Sequence, residues 1–168
     1  MRVRPATLAD AESIQAIYNY EVLHTTATFD LVPRSLVEQQ DWLTARSGAF
    51  TALVAEGDDG LVAGFASLSP YKERAAYRTT VEDSVYVSRA AQGRGIGRLL
   101  VADALNVAAA HGFHAVIARI EASGVASRKL HGACGFDLVG VEREVGRKFG
   151  KWLDVAVMQC LLHERAGG

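Results

Sequence analysis

Residues 79–112, TTVEDSVYVSRAAQGRGIGRLLVADALNVAAAHG, constrain this chain more than any other stretch. They open on strict alternation. Val81, Val85 and Val87 fall on one side, and Glu82, Ser84 and Tyr86 on the other, the period of a strand with two unlike faces. A glycine-rich turn follows. Then Ile96, Leu100, Ala104, Val107 and Ala108 recur at helical spacing until Gly112 ends the helix. Strand, glycine turn and helix in this order set successive backbone N–H groups, Arg94 through Arg98, at a helix N-terminus, where an anion is favoured.

The other segments supply partners for that unit. Val3 to Ala6 reads as a first strand, and Leu8 to Val22 as a helix after Thr7. Thr25 to Pro33 is a polar loop holding Phe29, and Ser35 with Glu38 forms a capping box for a second helix. Ala49 to Glu56 and Leu61 to Leu68 read as a hairpin around GDDG. After the first unit come a strand at Ala115 to Ile120, a short helix at Ser127 to Cys134 stopped by Gly135, and strands near Asp137 to Arg143 and Leu153 to Leu161. Hairpins first and then β-α-β-α-β-β predict an α+β or α/β three-layer domain with six or seven strands.

A chain of 168 residues with 49% hydrophobic and 22% charged residues suits one compact domain, 1–168. Its net charge of -1 argues against nucleic acid as a partner, which needs a basic face. No run approaches the roughly 18 apolar residues of a membrane span. The N-terminal MRVRPATLADAE has no apolar signal region, so a cytoplasmic location is expected. Cys134 and Cys160 lack metal-ligand spacing, read as buried thiols, and no metal is expected.

Which phosphate group the turn suits is decided by spacing. A Walker loop needs Gly-Lys followed by Ser or Thr, and Gly150-Lys151 has neither after it. A dinucleotide fingerprint needs a third small residue, and Arg98 or Leu100 stands there instead. What remains is Q-x-x-G-x-G: Gln92, Gly95 and Gly97.

That pattern resembles the [QR]-x-x-G-x-[GA] turn of the GNAT superfamily of acyl-CoA N-acyltransferases. Residues 121–136, EASGVASRKLHGACGF, are similar to the second acyl-CoA motif of that superfamily through Ser127, Leu130, His131, Gly135 and Phe136. Gly124 stands where the motif has asparagine. Residues 71–88 resemble the phosphinothricin acetyltransferase branch through Arg74, Ala76, Tyr77 and Thr80 to Val87, and 18–30 and 146–155 resemble it too. The resemblance runs from about residue 2 to 162, leaving a tail at 163–168.

The resemblance implies a mixed, mostly antiparallel sheet splayed between strands 4 and 5, with about four helices. It implies acetyl-CoA as cosubstrate and direct acetyl transfer to the α-amine of a small amino-acid-like substrate. Phosphinothricin, methionine sulfoximine and methionine sulfone are the leading acceptors. Glu82 would be the general base, and His131 would protonate the leaving thiolate. Val85, Tyr86 and Val87 would hold the pantetheine arm by backbone, as would Gly124 and Ser127 nearby. Gln92, Gly93, Arg94, Gly95, Ile96, Gly97 and Arg98 would cradle the pyrophosphate. Arg74 would bind the substrate carboxylate, Ala76 would also contact the substrate, and Tyr77 and Phe29 would wall the pocket. Lys148 and Trp152 would reach the site from the last strands or from a second subunit, since the branch is commonly dimeric. Two other readings share this resemblance. One takes a peptide or protein amine as acceptor. The other is a non-catalytic acyl-CoA-binding module, supported by Gly124.

Overall fold

Where the side chains alternate, both faces of the sheet find cover. In the strand β2 (Ala52–Glu56), Ala52 and Val54 pack into one apolar cluster and Leu53 and Ala55 into another. The first cluster joins helices α1 (Ala11–His24) and α2 (Leu36–Thr44) to one face, through Ile14, Val22 and Leu43. The second joins α3 (Ile96–Ala110) to the other, through Leu100, Val101 and Leu105. Two helical layers on one sheet give the three-layer α+β architecture expected. The computed structural model describes residues 1–165; of the expected tail, 166–168 lie outside them.

The remaining elements are β1 (Arg2–Pro5), β3 (Val62–Pro70), β4 (Thr80–Val87), β5 (Ala115–Glu121), α4 (Val125–Ala133), β6 (Asp137–Lys148), β7 (Lys151–Leu161) and the short α5 (Leu162–Arg165). Seven strands form one sheet in the order β1-β2-β3-β4-β5-β7-β6. Every pairing is antiparallel except β4 with β5.

That parallel pair makes the site. It is joined only at Thr80↔Ala115, Val81↔Val116 and Glu82↔Ile117. Beyond Glu82, β4 stays with β3 as far as Gly64↔Val87, while β5 stays with β7 as far as Glu121↔Val155. The two strands diverge, and the sheet opens as a wedge with unpaired backbone on its inner edges.

Local chemistry explains the element ends. Ser35 Oγ accepts from Glu38 N at 3.1 Å, and Glu38 Oε2 accepts from Ser35 N at 2.7 Å, the capping box expected. Two expectations need correction. The strand read from Ala49 starts at Ala52, because Gly48, at φ +59°, opens a 3-10 turn over Gly48–Phe50. The gap read between Arg143 and Leu153 is strand instead: β6 runs to Lys148 and turns at Phe149 and Gly150, both at positive φ, into β7.

Candidate active site

On one side of the wedge, the glycine turn meets the end of β4. Gly93 and Gly95 sit at φ +75° and +78°, a backbone that an L side chain strains. The first bond of α3 runs from Leu99 N to Gly95 O at 3.1 Å, so the N–H groups of Ile96, Gly97 and Arg98 have no partner within the helix. Gln92 Nε2 donates to Val87 O at 3.4 Å and ties the turn to β4. A Cβ on Gly97 would come within 2.9 Å of a Leu130 methyl, so glycine lets α3 and α4 approach here without a shift of that side chain.

A cavity of about 520 Å³ follows this surface. Val85, Tyr86 and Val87 line it from β4, and Gln92, Gly93, Gly95, Ile96, Gly97 and Arg98 from the turn. Gly124 and Ser127 line it from the start of α4. Gly124 therefore borders the space with main chain alone. Arg94 is exposed and does not line this cavity.

On the other side lies a cavity of about 370 Å³, bordered by Phe29, Glu82, Tyr86, Arg119 and Glu142 among others. Glu82 and Tyr86 share a strand face, as their alternation predicts. The Glu82 side chain is 20% exposed and forms a two-pronged ion pair: Arg119 Nε and Nη2 donate to its Oε1 and Oε2, each at 3.1 Å. This bonding raises the Arg119 guanidinium pKa. Phe29 rests over Gly146, where a Cβ would collide with its ring.

A third cavity, about 280 Å³, joins the two, and Ala27 and Tyr86 line all three. His131 and Asp83 stand at this junction, both more than nine-tenths buried. His131 Nδ1 lies 2.8 Å from Ser127 O, and Nε2 lies 3.1 Å from Asp83 Oδ2. A carbonyl only accepts, so Nδ1 carries a proton. Burial pushes the imidazole towards its neutral form, but the hydrogen bond and charge of Asp83 outweigh it, and the His131 pKa is raised. The other carboxylate oxygen, Asp83 Oδ1, is buried without a hydrogen-bond partner among the described residues.

Several residues expected at the site are elsewhere. Arg74, Ala76 and Tyr77 are exposed on the loop before β4, at the paired end of the strand, and line none of these three cavities. Tyr77 packs instead against Tyr71, with ring centroids 5.6 Å apart. Lys148 is buried, and its Nζ donates to Thr28 O at 2.8 Å and Glu21 O at 3.4 Å, bracing the Phe29 loop against β6. Burial lowers its pKa. Trp152 is 61% exposed beneath Arg147, beyond the three cavities.

Sequence reasoning missed Asp83 and Arg119. Asp83 interrupts the apolar side of β4 between Val81 and Val85, and a carboxylate on a core-facing position was the available signal. Arg119 gave none, because its contact depends on the β4–β5 register. Among the described residues no group of three or more His, Cys, Asp or Glu is arranged to hold a metal ion.

A split mixed sheet, a glycine turn feeding a helix N-terminus and a carboxylate at the adjoining cavity define a group-transferring enzyme domain. Residues 14–136 match the Acetyltransferase (GNAT) family, and the chain belongs to that family. A phosphinothricin N-acetyltransferase of Streptomyces coelicolor is 40% identical over 159 residues, covering 93% of each chain. An L-methionine sulfoximine/L-methionine sulfone acetyltransferase of Pseudomonas paraeruginosa is 40% identical over 161 residues, 95% of this chain and 94% of that one. A solved acetyltransferase structure from Salmonella typhimurium, with its cofactor acetyl-CoA, superimposes with a TM-score of 0.93 at 39% identity, covering 96% of this chain and 94% of that one.

Proposed function

We infer that this chain acetylates the α-amine of a small amino acid or analogue of the phosphinothricin, methionine sulfoximine or methionine sulfone type. Acetyl-CoA is the cosubstrate, and the transfer is direct, in a ternary complex. The observation that carries this reading is Glu82, set in an acceptor-sized cavity that opens through Tyr86 onto the glycine-turn cavity. Bound acetyl-CoA supplies the acetyl thioester. The Gly93–Arg98 backbone receives its pyrophosphate, and the unpaired edge of β4 receives the pantetheine arm. Glu82 takes the proton of the acceptor ammonium, directly or through water. A β4 N–H polarises the carbonyl under attack. The His131–Asp83 pair is the proton store for the departing sulfur.

The enzyme is proposed to be a cytoplasmic homodimer. Support for pairing comes from the last hairpin, where Val139, Val145, Phe149 and Trp152 are each more than half exposed.

A free-thiol release assay with acetyl-CoA and a panel of amino acids, analogues and short peptides tests the reading. Release is expected with methionine sulfoximine, methionine sulfone or phosphinothricin. Release with peptides alone moves the acceptor to the peptide class, and acetyl-CoA binding without release on any acceptor leaves a non-catalytic module. In the same assay Gly95→Ala, which strains a left-handed residue by about 1–2 kcal/mol, raises the KM for acetyl-CoA several-fold with a smaller change in kcat.

A further inference from the structure

We propose that Arg119 selects the acceptor, binding an oxyanion that the acceptor carries beside its amine and thereby laying that amine against Glu82. This rests on the amine-acetylating reading above and assigns the anion to a residue of β5 rather than to the loop before β4. Arg74, the residue first expected in that role, is exposed at the paired end of β4, whereas the sheet opens at the other end.

Arg119 stands two residues beyond Ile117, the last β5 residue paired to β4, and lines both the acceptor cavity and the junction. A guanidinium has two edges that fit a carboxylate. Glu82 occupies the side edge, Nε with Nη2. The end edge, Nη1 with the second hydrogen of Nη2, makes no hydrogen bond to the described residues. The side chain is 52% exposed, so this edge is within reach of a small molecule.

Charge around the cavity sharpens the selection. Its lining includes Glu82, Glu121 and Glu142, and Arg119 is the single cationic side chain among them. Glu121 is already engaged by Ser123, through its backbone N at 2.9 Å and its hydroxyl. Arg89, the other arginine lining the junction, is bonded to buried Glu21 at 3.0 Å. An ammonium therefore finds carboxylates, and an anion finds one free guanidinium edge. Because Arg119 and Glu82 touch, the pair favours an acceptor whose amine and oxyanion lie close together. That geometry describes an α-amino acid and disfavours its amide or a simple amine, which would leave the edge unmatched.

Calorimetric titration of wild type and Arg119→Gln with methionine sulfone and with its carboxamide, in the presence of coenzyme A, tests this. Wild type is expected to bind the free acid about tenfold or more tighter than the amide, and Arg119→Gln to bind the two alike. Arg119→Lys, which keeps charge without the fork, should fall between them. Unchanged coenzyme A affinity in both variants checks that the fold is intact. A preference for the acid that survives in Arg119→Gln, no preference in wild type, or no binding of either compound overturns the proposal. Selective binding without thiol release would sink the acetyl-transfer reading and leave the role of Arg119 standing.

Discussion

Glu82→Gln removes most turnover at neutral pH: kcat falls by about 10²–10⁴-fold, the span that a positioned base contributes. The KM for acetyl-CoA changes by less than about twofold, because Glu82 lines the acceptor cavity and not the glycine-turn cavity. Glutamine keeps one oxygen for Arg119 but sets its NH2 against the other guanidinium donor, so one of the two hydrogen bonds survives the change. What it loses is the ability to take a proton. The defect therefore shrinks as pH rises through the range where an α-amine deprotonates unaided, from about pH 8 upward. Steady-state thiol release measured from about pH 6 to 10 separates this from a folding defect, which alkali would not repair. Full activity of the variant at neutral pH would remove Glu82 from the role of base.

The residues that were legible in the sequence are those whose signal is local. Alternation in β4 put Glu82 and Tyr86 on one face, and they do line one cavity. Gly93 and Gly95 read as a turn because their left-handed backbone disfavours other residues, and Gly97 because it leaves room beside Leu130. Ser35 and Glu38 cap as a box because both partners lie within one turn. What escaped notice depends on pairing over long separations. His131 meets Asp83 across 48 residues, and Arg119 meets Glu82 across 37. The Arg119 contact rests on a register three residue pairs long and the His131 contact on where α4 meets β4, and no residue advertises either. Lys148 shows the reverse failure. A lysine near the chain's end read as a substrate ligand, yet two backbone carbonyls engage it. The ends of β6 and β7 were missed because exposed hairpin arms need no apolar alternation. Val145 is exposed, and two glycines, one arginine and one lysine lie between residues 146 and 150.

Asp83→Asn separates the proton chemistry of the junction from its architecture. In the wild type, Nδ1–H of His131 donates to Ser127 O and Nε2 faces Asp83 Oδ2, an arrangement that favours the charged ring. Asparagine can turn its amide towards Nε2. The ring then keeps Nδ1–H and accepts at Nε2, satisfied but neutral. The expected result is a folded protein whose kcat at neutral pH is down by about 10²-fold, the lower end of general-acid effects, with KM values little changed. The expected wild-type activity falls on the alkaline side as pH passes through the raised His131 pKa. In Asp83→Asn that limb moves to lower pH. Stability follows the same group. A pKa raised in the folded state means its contribution is fully present below about pH 6.5, the ordinary imidazole value, and is lost as pH rises through the folded-state value. The melting-temperature gap between wild type and His131→Gln is therefore widest in acid and narrows with rising pH. His131→Ala goes further and strips the partner from a buried carboxylate whose other oxygen is already unpartnered, a loss of about 3–5 kcal/mol. An Asp83→Asn enzyme with wild-type kcat and an unmoved alkaline limb would reduce the pair to a packing element and send the search for the proton donor elsewhere in the junction.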